Sequence, residues 1–154
     1  MADADVLPYD YETYGKEISA YLDAAQKKAE EAGLTSLDFT AAKAAAEKFT
    51  QLAEQVRDKQ QSAAASGSPQ QLATLNAQLR DVEEDFLSAP GLPHRPWFKH
   101  TIYAPGEYTG YAAVVIPGVN EAIDAKDLSR AQAQMIVLTG ALNKAVGTLE
   151  SITK

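Results

Sequence analysis

The chain has 154 residues, 45% of them hydrophobic and 23% charged, which fits one globular domain with a sizeable core and excludes a disordered tail as the default. Its formal net charge is -7 with a pI near 4.8, and its basic residues are scattered, which argues against nucleic acid and against direct contact with an anionic membrane. No apolar run approaches the roughly 20 residues of a membrane span, and Met1-Ala-Asp-Ala-Asp5 lacks the pattern of a signal peptide.

From Asp10 to Ala32 the residues Tyr14, Ile18, Tyr21, Leu22, Ala25 and Ala29 recur at steps that place them on one helical face, and Gly33 stands where a left-handed cap is wanted. A second helix is expected after a cap at Ser36 or Asp38. Its apolar row runs from Phe39 through Ala46 and Phe49 to Val56, and the low-complexity stretch 60–68 reads as a polar turn or frayed end. Ser68-Pro69 opens a third helix that carries Leu72, Leu75, Leu79, Val82, Phe86 and Leu87, and Pro90-Gly91 stops it.

Residues 91–106 interrupt the helical pattern. Pro93, Pro96 and Pro105 exclude a continuous helix, while Trp97, Phe98, Ile102 and Tyr103 are too apolar for a solvated linker. This is a built loop, with Arg95, Trp97, Phe98, His100 and Tyr103 as its candidate anchors. Residues 111–116 read as extended coil, because no second strand of comparable quality exists to pair with them. A short helical turn at 117–123 follows. Asp127 then caps a last helix bearing Leu128, Ala131, Met135, Ile136, Leu138, Leu142, Val146 and Leu149. The expected fold is all-α: a four-helix bundle with one long aromatic and proline-rich loop between the third and last long helices. The second and last helices are alanine-rich over wide faces, which permits close approach within the bundle or between chains.

Chemistry-bearing motifs are few. Cysteine is absent and there are two histidines, His94 and His100, without the sequence company of a zinc site. No HExxH, phosphate loop or nucleophile elbow appears, so no catalytic residue, metal ligand or cofactor site is expected within this chain. The acidic run Glu83-Glu84-Asp85 diverges around a helix and reads as a solvated face.

Several landmarks taken together resemble the transferrin receptor-like dimerisation domain, the helical C-terminal domain of glutamate carboxypeptidase II and its relatives. They are Leu7-Pro-Tyr-Asp-Tyr11, Phe49, Phe86-Leu87, Gly91-Leu-Pro93, Arg95-Pro96, His100, Ile102-Tyr-Ala-Pro105, Tyr111-Ala112 and Pro117-Gly118, in order over nearly the whole chain. The resemblance implies that residues 1–154 are a single domain excised from a larger parent with protease-like and apical domains, those domains being its partners together with a second copy in a homodimer. It implies zinc in the missing protease domain and none here. It also implies a lumenal, vacuolar or extracellular part of a single-pass type II membrane protein. Enzymatic relatives line the pocket for the substrate's C-terminal residue with a Lys-Tyr pair between the Tyr-Ala-Pro and Pro-Gly landmarks. Here the tyrosine position falls on Tyr111 and the lysine position on Gly110, and glycine supplies no ammonium for a substrate carboxylate. Tyr111 reads equally as a buried tyrosine with a satisfied hydroxyl.

Overall fold

A computed structural model describes residues 5–107 and 112–154 of the protein. Among them are α1 (Tyr11–Glu31), α2 (Thr40–Ser66), α3 (Pro69–Glu84), β1 (Tyr103–Pro105), β2 (Ala113–Val115), α4 (Pro117–Asp124) and α5 (Leu128–Thr153). The four long helices α1, α2, α3 and α5 form the expected all-α bundle.

Local sequence explains most helix ends. The Asp10 carboxylate accepts from the Thr13 N–H at 2.9 Å to open α1. α1 ends in a left-handed Gly33 (φ 82°), where Leu34 N–H reaches Ala29 O and Gly33 N–H reaches Glu30 O, the two bonds that satisfy a helix's last carbonyls. Ser68 and Gln71 form a reciprocal capping box with Pro69 in the first turn of α3. Asp127 accepts from Arg130 N–H to cap α5.

Along α1, Ile18 and Leu22 are fully buried, and along α2, Ala46, Phe49 and Val56. A Cβ on Gly15 of α1 would lie 2.4 Å from Thr50 Oγ1 and 2.9 Å from the Phe49 ring, so the α1–α2 crossing is close enough to need glycine. Leu142 and Leu149 of α5 and Leu79 and Val82 of α3 complete the core.

Four expectations are corrected. Residues 113–115 are not coil: they pair antiparallel with 103–105, Ala104 opposite Val114. The partner was hidden because Tyr-Ala-Pro ends in a residue that cannot donate to a ladder. Of the stretch 60–68, expected as a polar turn or frayed end, residues 60–66 continue α2 as helix and the chain breaks only at Gly67, since alanine and glutamine favour helix wherever no breaker intervenes. The N-cap of α2 is Phe39 without a side-chain bond, and Asp38 instead accepts from Thr40 N–H. The acidic run is a solvated face only in part: Glu84 is exposed and Glu83 half-exposed, but Asp85 is only 6% exposed, accepting from Thr148 Oγ1 at 2.5 Å and pairing with Lys144 at 2.9 Å. Its carboxylates do diverge, and divergence sends Asp85 onto α5.

Candidate functional site

The loop after α3 is seated on an aromatic cluster at the centre of the bundle. Phe86 is fully buried and meets Tyr14 and Phe49 edge-on at 5.3 and 5.7 Å, while the His100 ring lies over it at 6.2 Å. His100 in turn stacks on Tyr103, and Tyr103 on Tyr14. Backbone bonds close the loop on itself: Ser88 N–H to Lys99 O, Leu92 N–H to Phe98 O and Thr101 N–H to Phe86 O. Gly91 (φ 76°) permits the turn, because a Cβ there would stand 2.3 Å from Pro96 O.

His100 Nδ1 faces the backbone N–H groups of Ile102 and Tyr103 at 3.1 and 3.3 Å, and Nε2 faces Glu83 at 3.3 Å. Backbone N–H groups only donate, so Nδ1 accepts and Nε2 carries the proton toward the carboxylate. The imidazole is therefore a strut between α3 and β1.

Arg95 is the loop's second fixed point. Its guanidinium, 10% exposed, donates to both carboxylate oxygens of Glu121 on α4 at 2.6 and 2.7 Å and to Pro105 O, and it lies 5.5 Å from the Phe98 ring centre. Glu121 also accepts from the Glu107 N–H at 2.9 Å, and Arg130 of α5 reaches Glu107 at 3.1 Å. Gly106 N–H donates to Ala112 O at 3.0 Å. Both ends of the segment from Glu107 to Ala112 are thus tied to the body of the domain by charge and backbone bonds. Ile116, the residue before α4, takes a left-handed backbone (φ 37°, ψ 56°), with its N–H on Ile102 O at 2.7 Å. A β-branched residue there stores strain of about 1–3 kcal/mol.

Of the candidate loop residues, the structure brings Arg95, His100 and Tyr103 onto the helices, whereas Phe98 meets only its loop neighbours Arg95 and Trp97 among the ring contacts. Trp97 instead is 68% exposed, beside Phe98 at 6.2 Å. Gly110 and Tyr111 lie outside the described residues. Sequence reasoning missed Glu121, Glu107 and Arg130. A signal existed for one of them: Glu121 stands one turn after Pro117, among the apolar Val119, Ala122 and Ile123 of a short helix, where a charge cannot be buried without a partner. Among the described residues no three His, Asp or Glu side chains gather where they could hold a metal ion, and no helix is long and apolar enough to cross a membrane.

A second feature lies along α5. Leu37 and Ala41 at the start of α2 and Met135, Ile136 and Gly140 of α5 line an open groove, in which Ile136 is 74% exposed.

Residues 37–150 match the family model described as the transferrin receptor-like dimerisation domain. The chain belongs to this family. It is 35% identical over 98% of its length to a probable glutamate carboxypeptidase of Arthroderma benhamiae, of which it covers 21%. Two probable glutamate carboxypeptidases of Arabidopsis thaliana are 28% and 31% identical, each over 80% of this chain and 17% and 18% of their own length. The chain therefore spans about a fifth of the length of the curated relatives it matches.

Proposed function

We propose that the protein is the helical dimerisation domain of a glutamate carboxypeptidase-like zinc peptidase, pairing two copies of its parent and walling part of the parent's substrate cleft with the segment between Glu107 and Ala112. The observation that carries this reading is the family match over 37–150 together with relatives named probable glutamate carboxypeptidases. The Arg95–Glu121 pair supports the cleft role, since Glu121 takes the Glu107 N–H at one end of the segment that the resemblance places at the pocket, while the Gly106 N–H donates to Ala112 O at the other. Zinc belongs, in this reading, to the protease domain of the parent, as the family resemblance implies.

Gly110 in place of the family lysine favours a second reading, a receptor-like parent whose corresponding surface binds a protein ligand without turnover. The two are separated in the full-length parent by comparing wild type with Gly110→Lys on peptides ending in glutamate and in neutral residues. A peptidase parent gains roughly tenfold in kcat/KM for C-terminal glutamate on receiving the lysine, the worth of one new charge pair. No turnover of any peptide by either form would sink the peptidase reading in favour of the receptor. Sedimentation equilibrium of the purified chain tests the dimerisation half, with a monomer–dimer equilibrium expected.

A further inference from the structure

We infer that the notch between α2 and α3 is a binding site for an extended peptide strand, which residues 5–9 of the chain occupy, and that the seat of α3 depends on its being filled. The inference is independent of the dimerisation and cleft readings above.

Two side-chain amides from different helices hold that strand by its backbone. Asn76 of α3 accepts from the Leu7 N–H at 2.8 Å and donates to Asp5 O at 2.9 Å. These two backbone groups stand two residues apart, and one residue of a parallel neighbouring strand would take the same pair, so the amide acts in place of a strand. Gln60 of α2 donates through Nε2 to Leu7 O and Tyr9 O at 2.9 and 3.2 Å. Pro8 between them has no N–H to satisfy, and it biases Leu7 toward the extended form. Val6, Leu7 and Tyr9 meanwhile pack against the core. Backbone bonds above and apolar side chains below are the chemistry of strand capture, which reads an extended main chain and its apolar positions rather than a charge.

The sequence of α2 is arranged for this occupant. Its buried face of Phe49, Ala53 and Val56 would continue one turn on at residue 60, where glutamine stands in place of an apolar side chain. From residue 57 to residue 74 none is buried, and α3 buries only Leu75, Leu79 and Val82. The adjoining ends of the two helices therefore overhang the core, and the strand, bonded to both, is the tie between them. With the notch empty, both amides would turn to water, and α3 would be held chiefly by its second half, where Tyr11 Oη donates to Leu79 O at 2.5 Å.

The test reads amide hydrogen exchange in the 154-residue chain and in Asn76→Ala, Gln60→Ala and the control Gln70→Ala, whose side chain is exposed on α3. Asn76→Ala should speed exchange of the Leu7 amide and of the first half of α3 at least about tenfold while α5 exchanges as before, since two backbone partners are lost at one end of the helix. Gln60→Ala should loosen the same half of α3, and Gln70→Ala should not. A chain that begins at Tyr9 should show the same loss, and a peptide of residues 3–8 with blocked ends should restore slow exchange at millimolar concentration. The same peptide methylated on the Leu7 nitrogen keeps every side chain but loses the donor to Asn76, and it should fail to restore it. Unchanged α3 exchange in both Asn76→Ala and Gln60→Ala would overturn the proposal, and so would equal rescue by the two peptides. An α3 that loosens without residues 1–8 and responds to neither peptide would overturn the binding site. Should the shortened chain not fold, the proposal stands or falls on the two point variants.

Discussion

Two side chains do most to set the loop, and each works through its hydrogen-bonding inventory. His100 presents an acceptor to two backbone N–H groups and a donor to Glu83, a pairing that only the Nε2-protonated ring satisfies. Replacing it by phenylalanine keeps the stacking on Phe86 but leaves two backbone donors without an acceptor. The expected loss is about 1–3 kcal/mol by urea unfolding, most of it recovered by His100→Asn, whose carbonyl can still accept. The Arg95–Glu121 pair is buried on both sides. Arg95→Met should cost about 3 kcal/mol, because it removes both guanidinium hydrogen bonds from the buried Glu121 carboxylate and leaves it, of its guanidinium partners, only Arg130 at 3.8 Å. Arg95→Met combined with Glu121→Gln should be less destabilised than the sum of the two single changes, read as a double-mutant cycle. Arg95 stood out in the sequence by its place between His94 and Pro96. Its partner did not, because nothing local ties residue 95 to residue 121.

At the scale of elements, helix boundaries set by caps were legible and those set by packing were not. Ser68-Pro69 with Gln71 spells a helix start in four letters, and the capping box forms. Ser68→Ala should therefore cost about 1 kcal/mol and speed hydrogen exchange in the first turn of α3 ahead of its remainder, which amide exchange can resolve. At the α2 start the N-cap side chain makes no bond, and the Asp38 carboxylate serves only the Thr40 N–H; the helix follows buried Phe39 and Leu37, so tertiary packing helps to decide it. The β1–β2 pairing lay beyond reach for a related reason. Two three-residue strands have no stability of their own, and this pair forms where the loop has already been held by His100, Arg95 and the Ile116 N–H bond to Ile102 O.

Across the whole molecule, the aromatic cluster couples stability to pH. Burial, and after it the Glu83 carboxylate, raises the Tyr11 and Tyr14 phenols well above their ordinary value of 10. In the unfolded chain these tyrosines ionise near pH 10, whereas in the folded one they remain protonated. Their contribution is intact below about pH 10 and is lost as pH rises beyond it, by up to about 1.4 kcal/mol per pH unit for each tyrosine. Urea unfolding at pH 9, 10 and 11 should show a flat first interval and a falling second. Tyr14→Phe should lessen the fall, since phenylalanine has no phenol to ionise and the Tyr14 hydroxyl has no hydrogen-bond partner to lose.

By itself the sequence determined the helical class, the long loop and the family. Periodicity and caps are local signals, and the landmarks from Leu7-Pro8 to Pro117-Gly118 lie in order along the chain. Only the tertiary structure decided that Arg95 meets Glu121, that Asp85 is drawn under α5, that Trp97 faces outward and that Ile136 stands uncovered. Each of these depends on which helix faces lie against one another, and a helical stripe specifies that a face is apolar without specifying what will cover it.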